Sequence, residues 1–190
     1  MFFSRATFLT SIVVFVSSSL FGQGTELPVT TTAISDVSVQ ATSSRVTIDL
    51  SQHFDVAGVT GQVVQFETSL GSFNIEMLTN DAPLNVANFL SYVDLADYDN
   101  SIIHRLIAGF VVQGGGYYVD LNTIPIAPPI VNEFSLSNTR GTLAMAKLSG
   151  FPDSATSQWF INLSDNGQSQ GLDTQDGGYT VFAKVIGSGM

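Results

Sequence analysis

The feature that most constrains the fold is a series of short apolar segments separated by glycine-rich or polar turns. The segments cover residues 101–106, 110–113, 142–147, 158–163 and 179–186. Before them, residues 64–67 and 73–77 alternate apolar and polar side chains on either side of a turn at 69–72. This alternation predicts a β-hairpin with one buried face. Together the segments predict a mostly antiparallel sheet that is closed or nearly closed on itself.

One longer element interrupts the predicted strands. Asp81, Ala82 and Pro83 precede a stretch in which apolar side chains recur at helical spacing. Proline is favoured in the first turn of a helix, so the helix is expected to begin here. The apolar positions are Leu84, Val86, Ala87, Phe89, Leu90 and Val93. The pattern predicts an amphipathic helix of about three turns that caps the sheet.

Composition excludes several classes of chemistry. The 190 residues carry 6 basic and 16 acidic side chains, a net charge of −10, which disfavours binding to phosphate backbones. There is no cysteine, so thiolate nucleophiles, disulfides and zinc–thiolate sites are excluded. His53 and His104 are the only histidines, which is too few for a multi-histidine metal site.

Residues 1–24 have the order of a secretory signal peptide. Arg5 precedes an apolar run over residues 8–16, and small or polar residues follow. The alternative, a membrane anchor, is disfavoured because the run is shorter than the ~20 residues that span a bilayer. We therefore expect cleavage near Gly22–Gly24 and an exported protein, periplasmic or secreted, without stable membrane insertion after cleavage.

Residues 25–61 form a polar, β-prone spacer. Val37, Val39, Val46, Ile48 and Leu50 lie in short alternating patterns. Two interpretations stay open: a linker, or a pair of short strands that pack on the main domain or on a neighbour. The segment also resembles the edge of a cadherin-like or immunoglobulin-like module.

Four stretches of the remaining sequence carry a family resemblance. They are IIHRLIAGFVVQGGG at 102–116, NEFSLSNTRGTLAMAK at 132–147, SATSQWFINLSDN at 154–166 and GYTVFAKVIGSGM at 178–190. In content, order and spacing they resemble the cyclophilin-type peptidyl-prolyl cis–trans isomerases. The resemblance covers residues 62–190 and implies an eight-stranded antiparallel β-barrel with a capping helix. Relatives continue beyond this point into a final strand, so the resemblance predicts a C-terminally truncated barrel of seven strands, unless residues 37–50 cover the gap.

The resemblance implies catalysis of rotation about Xaa–Pro bonds in proline-containing polypeptides, with no cofactor. That rotation has a barrier of ~18–20 kcal/mol because resonance stiffens the amide. A pocket for the proline ring and a donor aimed at the imide nitrogen would lower it, because the nitrogen accepts better once the amide is twisted. Arg105 matches the catalytic arginine of the family.

The remaining family positions would bind substrate. Phe110, Val111, Phe160 and Leu172 match the apolar pocket, and Gln113 and Gln158 match its polar wall. Ala146 and Lys147 match the edge segment whose main chain aligns the peptide, and Tyr179 takes the place of a pocket histidine. Most relatives carry asparagine where Lys147 stands, and many carry methionine where Val111 stands. Gly171 replaces the tryptophan of cyclosporin-sensitive members, which predicts weak binding of that drug.

Several conspicuous residues receive structural roles. His104 is interpreted as support for the fold, and Arg140 as an organiser of its loop. Strand alternation is expected to point Trp159 away from the pocket, either into the barrel or across a face. Gly114–Gly116 indicate tight backbone geometry, since no phosphate-loop lysine follows. Asp173 and Asp176 are expected to be solvated.

Two other functions remain as alternatives to an exported isomerase. One is a proline-peptide-binding module with little or no catalysis, motivated by Val111, Lys147 and the expected missing strand. The other is a structural piece of a larger surface protein, motivated by residues 25–61.

Overall fold

The computed structural model describes residues 58–187 in full and, outside them, only the backbone of three strands. These are β1 (Phe3–Leu9), β2 (Val29–Thr30) and β3 (Phe54–Asp55). β2 and β3 pair antiparallel, within a compact unit formed by residues 9–60. The rest of the predicted signal peptide and the alternating positions at 37–50 lie outside the described residues.

The main unit is a curled antiparallel sheet with few helices. Its elements are β4 (Val63–Thr68), β5 (Gly71–Met77), α1 (Pro83–Asp94), β6 (Arg105–Ile107), β7 (Val111–Gly114), β8 (Thr142–Met145), β9 (Trp159–Asn162), α2 (Asn166–Ser169), a 3-10 turn (Gln175–Gly177) and β10 (Val181–Ile186). The sheet order is β1-β4-β5-β10-β8-β9-β7-β6. The seven strands from β4 onward form a half-barrel, which confirms the mainly β, antiparallel fold class.

The predicted hairpin and helix are both present, as β4–β5 and α1. The predicted strand at 101–106 is displaced, because β6 begins only at Arg105. Ser101 instead forms an isolated bridge to Tyr118. Neither helix in the described part of the chain has the length and apolar character needed to cross a membrane.

The main core lies between α1 and the concave face of the sheet. Trp159 is buried here, edge-on to Phe66 with ring centroids 5.1 Å apart. Phe89 of α1 packs on Phe182 of β10 at 5.0 Å. Of the two orientations predicted for Trp159, the structure therefore shows the one that points into the barrel.

The buried face of α1 differs in part from the predicted apolar stripe. Val86, Phe89 and Val93 are buried as expected, but Leu84 is 52% exposed. Asn85 and Asn88 are buried in its place. Each has a partner: the Asn85 side-chain amide donates to a Glu133 oxygen and the Asn88 amide to the Thr156 carbonyl, both at 2.7 Å. Burial of the two amide nitrogens is tolerated because both are hydrogen-bonded.

The glycines at the end of β7 allow the chain to pass close to the core. A Cβ on Gly114 would lie 2.8 Å from a Trp159 ring carbon. Gly115 has φ +74°, and a Cβ there would lie 2.5 Å from the Ser157 carbonyl oxygen. Both contacts are sterically impossible, so the interpretation of this stretch as tight backbone geometry is confirmed.

Candidate active site

Four neighbouring strands place side chains in one row on the convex face of the sheet. Arg105 pairs with Gln113, Gln113 with Phe160, and Phe160 with Ala144. Residues directly opposite each other in an antiparallel ladder project to the same face. The row runs from exposed Arg105 on β6 to buried Ala144 on β8. Strand register thus brings together residues that are up to 55 positions apart.

A line of polar side chains orients the arginine. Arg105 Nη1 donates to Gln113 Oε1 at 3.2 Å, and Gln113 Nε2 donates to Gln158 Oε1 at 2.9 Å. The guanidinium carbon lies 5.6 Å from the centroid of the Phe110 ring. Because a guanidinium has five N–H donors, the contact with Gln113 leaves others to meet a ligand.

A second cluster of apolar side chains adjoins the polar line, and it contains the residues that the resemblance assigns to the proline pocket. Its buried residues are Val111, Ala144, Phe160, Leu172 and Val181, and half-buried Leu78, Phe110, Leu136, Ala146 and Tyr179 pack against them. Six of these ten were predicted from the sequence. Ala144 and Val181 were missed, although each lies two residues along the chain from a predicted position and so shares its face. No sequence signal identified Leu78 or Leu136.

The peptide-binding edge predicted at Ala146–Lys147 continues from β8. The Ala146 amide donates to the Gln158 carbonyl at 2.9 Å, so it is already paired in this structure. The Lys147 side chain reaches across to a loop, where Nζ donates to the carbonyls of Asp176 and Gly178, each at 2.7 Å. Tyr179 stands edge-on to Phe160 with ring centroids 5.7 Å apart. The structure therefore connects Lys147 to the pocket wall through Tyr179.

Three buried asparagines lie behind the pocket, and the sequence analysis missed all of them. Asn166 donates to the Phe110 carbonyl and to Asn162 Oδ1, both at 2.8 Å. Asn162 donates to Asn138 Oδ1 at 3.2 Å, and Asn138 donates to the Tyr179 carbonyl at 3.0 Å. This network joins pocket walls that come from separate parts of the chain. Little in the sequence signals this network, because Asn162 lies within an apolar segment, Asn166 follows it and Asn138 stands in a polar turn.

Asp173 anchors this network and is not the solvated surface carboxylate that was expected. It accepts hydrogen bonds from Ser137 Oγ and from the amide and side chain of Asn138. Burial raises the pKa of the Asp173 carboxyl, but these hydrogen bonds lower it by more, so the net shift is downward. The prediction was wrong because the position of Asp173 along the chain gave no indication that it would meet Ser137 and Asn138, which lie 36 and 35 residues away.

Other charged and polar groups around the site have perturbed pKa values. Burial lowers the pKa of Lys147, while Asp176 and Asp153 oppose the shift. Burial, reinforced by Asp176, raises the pKa of Tyr179. The site therefore combines two cationic side chains, Arg105 and Lys147, with an apolar surface that is partly removed from water.

His104 and Arg140 have the surroundings expected of structural residues. The His104 ring packs edge-on to Tyr117 at 5.1 Å, and burial lowers its pKa, which favours the neutral form. Arg140 Nη1 donates to the Leu163 carbonyl at 2.7 Å, and its amide donates to Asp165. His104 does meet the polar line, because its side chain is hydrogen-bonded to Gln158 and the nearby charge of Arg105 helps to lower its pKa. Among residues 58–187, no three His, Asp or Glu side chains are grouped so as to hold a metal ion.

Comparison with known proteins places the site in a family context. The family model described as cyclophilin type peptidyl-prolyl cis-trans isomerase/CLD matches residues 63–190. A peptidyl-prolyl cis-trans isomerase of Acinetobacter baylyi is 49% identical over 126 residues, covering 65% of this chain and 66% of that protein. Peptidyl-prolyl cis-trans isomerase B of Escherichia coli is 44% identical over 128 residues, covering 65% and 77%. The match thus spans about two thirds of the Acinetobacter protein.

Solved structures show the same fold. A cyclophilin-type isomerase of Cryptosporidium parvum, crystallised in the presence of the dipeptide Ala-Pro, superposes with a TM-score of 0.55 at 29% identity. That superposition covers 67% of this chain and 80% of the other. A cyclophilin of Hirschia baltica gives a TM-score of 0.56 at 20% identity, covering 65% and 63%, and supports the fold alone.

Proposed function

This chain belongs to the cyclophilin-type peptidyl-prolyl cis–trans isomerase family, and we propose that it is an exported isomerase that assists the folding of proteins outside the cytoplasm. The domain at residues 63–190 is a peptidyl-prolyl isomerase domain. We propose, in addition, which residues carry out the reaction, which substrates the whole protein acts on and where the protein is located.

The observation that supports these residue roles is the oriented arginine beside an apolar pocket. Arg105 is held by Gln113 at 3.2 Å and lies over Phe110, one wall of the pocket. A proline ring seated against Phe110 and Phe160 would bring its imide nitrogen to the guanidinium. As the bond twists, the nitrogen loses conjugation and becomes a better acceptor, so the N–H donors stabilise the transition state more than the ground state.

Gln113 and Gln158 have positioning and binding roles in this proposal. Gln113 would restrict the guanidinium to one orientation, which avoids the cost of ordering it during the reaction. Gln158 holds Gln113 and carries the carbonyl that pairs with Ala146. Peptide main chain would then align along Ala146 and Lys147, whose side chain is directed away to the loop.

We propose proline-containing polypeptides as the partners. The Cryptosporidium relative was crystallised in the presence of Ala-Pro, which supports a proline-sized subsite in the fold. The apolar lining of the pocket in this chain suits a ring without hydrogen-bonding groups. No cofactor is required, because bond rotation makes or breaks no covalent bond.

The catalytic role of Arg105 is tested by Arg105→Ala in the full chain. We expect loss of roughly 10²- to 10³-fold in catalysed exchange of a proline tetrapeptide, as for removal of a transition-state donor elsewhere. Exchange is measured by NMR or a protease-coupled assay. Arg140→Ala is the matched control, because that side chain binds only the Leu163 backbone. Full activity in Arg105→Ala would overturn the assignment, and peptide binding without acceleration by the parent would select the binding-module alternative.

The proposed export rests on residues 1–24, where Arg5, an apolar run and small residues follow in order. We expect the mature protein outside the cytoplasm to begin after Gly22–Gly24. Fractionation of cells that express the full chain, followed by mass spectrometry of the N-terminal peptide, tests this. Recovery of protein in the cytoplasm with residues 1–24 intact would contradict it.

A further inference from the structure

The loop before β10 has an unusual backbone. Asp176, Gly177 and Gly178 have φ of 52°, 78° and 80°, so three successive residues adopt the left-handed region. For Asp176, which has a Cβ, this conformation costs roughly 1–2 kcal/mol. Such a loop persists only where surrounding contacts hold it.

Side chains from other segments supply those contacts. The carbonyls of residues 176–179 all accept from side-chain nitrogen atoms. Lys147 binds the first and third carbonyls at 2.7 Å, Asn132 binds the second at 2.9 Å, and Asn138 binds the fourth at 3.0 Å. Of these three anchors, Lys147 is the one that comes from the peptide-binding edge and holds two carbonyls at once.

The same ammonium group contacts the pocket wall. Lys147 Nζ lies 4.8 Å from the centroid of the Tyr179 ring, within the range of a cation–π interaction. The Tyr179 ring stands edge-on to Phe160, a buried residue of the pocket. A path of direct contacts thus leads from Lys147 through Tyr179 to Phe160.

We propose that Lys147 is a positioning residue that clamps the loop at 176–178 and thereby holds the Tyr179 ring as a wall of the proline pocket. The proposal rests on the proposed function of this groove. It assigns a task to the residue that departs from the asparagine most relatives carry, since an asparagine side chain is too short to span to the loop. Lys147 would affect how tightly the substrate binds, whereas Arg105 would affect how fast the bound substrate rotates.

The test is a double-mutant cycle with Lys147→Met and Tyr179→Leu in the full chain. Methionine keeps the length of the side chain but removes its donors and charge. We expect Lys147→Met to weaken affinity for a proline tetrapeptide about five- to tenfold, which is less than the full effect of losing hydrogen bonds to a charged group because the clamp acts on the peptide only through Tyr179. The cis–trans exchange rate of the saturated complex should change less than about twofold. In the Tyr179→Leu background, the same change should weaken affinity by no more than about twofold, because the wall is already absent.

Controls separate the clamp from general effects and from failure of the proposed function. Lys184 of β10 forms an ion pair with buried Glu76 of β5. Lys184→Met should therefore lower stability but leave peptide affinity unchanged. Independent effects of Lys147→Met and Tyr179→Leu, or a fall in exchange rate without a loss of affinity, would overturn the proposal.

If the parent neither binds nor accelerates, the proposed function fails, but hydrogen exchange at the Tyr179 amide still tests the clamp. That amide donates to the Leu172 carbonyl and should exchange faster in Lys147→Met, and an unchanged rate would overturn the clamp.

Discussion

The orientation of Arg105 is set by two neighbouring side chains, a hydrogen bond to Gln113 and a contact with the Phe110 ring. Arg105 is exposed on a short strand, where an arginine alone would sample many rotamers. Gln113 Oε1 accepts from the guanidinium, and Gln158 accepts from the other end of the Gln113 amide. The Gln113 side chain therefore binds Arg105 through its oxygen and Gln158 through its nitrogen. The second contact keeps the oxygen directed toward the guanidinium.

Gln113→Leu isolates this orienting role. Leucine has a similar volume but cannot accept from Arg105, so we expect the rate of catalysed exchange to fall about tenfold or more. The effect should be smaller than that of Arg105→Ala. Gln168→Leu, on the exposed surface of α2, is the matched control. An unchanged exchange rate in Gln113→Leu would show that Arg105 is oriented by other contacts.

At the scale of elements, helix α1 shows a local signal completed by a distant residue. Pro83 begins the helix, but Ala82 precedes it and supplies no side-chain cap. Glu133 takes that role from a loop, accepting from the amides of Leu84 at 3.2 Å and Asn85 at 2.9 Å. A carboxylate is favourable here, because the first-turn amides lack intrahelical partners and the helix dipole is positive at this end.

Glu133→Gln tests the capping contact. We expect the free energy of unfolding to fall by about 1–2 kcal/mol, since the charge is lost and one acceptor oxygen becomes a donor. Urea unfolding at neutral pH measures it. Asp94→Asn, at the opposite end of α1, should leave stability unchanged or raise it slightly, because a negative charge there opposes the dipole. Equal losses in both variants would argue against a capping role for Glu133.

At the scale of the whole molecule, buried polar groups join segments that the chain keeps far apart. Asp173 accepts from Ser137 and Asn138, which come from the loop before β8. Asn138 in turn bonds to Asn162, and Asn162 accepts from Asn166 behind Phe110. A complete network of this kind is stabilising, whereas loss of one member leaves buried groups unpaired.

Asp173 therefore links stability to pH. Burial raises its pKa, but the hydrogen bonds lower it by more, so the folded protein holds the ionised form. A carboxyl whose pKa is lower in the folded state contributes stability above its unfolded pKa of about 4. That contribution is lost as pH falls through the lower folded-state pKa. We expect Asp173→Asn to be less stable than the parent at pH 7, with a difference that shrinks below about pH 4. Urea midpoints between pH 7 and 3 measure this, and a difference independent of pH would contradict it.

Much of the fold was readable from local patterns, whereas the proposed pocket residues came from the family resemblance. Period-two alternation predicted the β4–β5 hairpin, whereas the row through Phe160 also depends on the register between strands. Two predictions were wrong because the same sequence pattern is compatible with more than one structure. Leu84 fits a helical apolar stripe, yet Asn85 is buried instead, because Glu133 pairs with its amide. Asp173 has the spacing of a surface loop residue, yet its partners lie across the fold.

The family, the antiparallel β architecture, the helix and the glycine stretch beside Trp159 could all be predicted from the sequence. These features depend on residues within a few positions of each other, or on motifs whose content is visible without coordinates. The folded chain was needed to show which polar groups meet: Glu133 with α1, Lys147 with the loop at 176–178, and Asp173 with Asn138. These partners are 29 to 49 residues apart. Their contact depends on the register and curvature of the whole sheet, which no local pattern specifies.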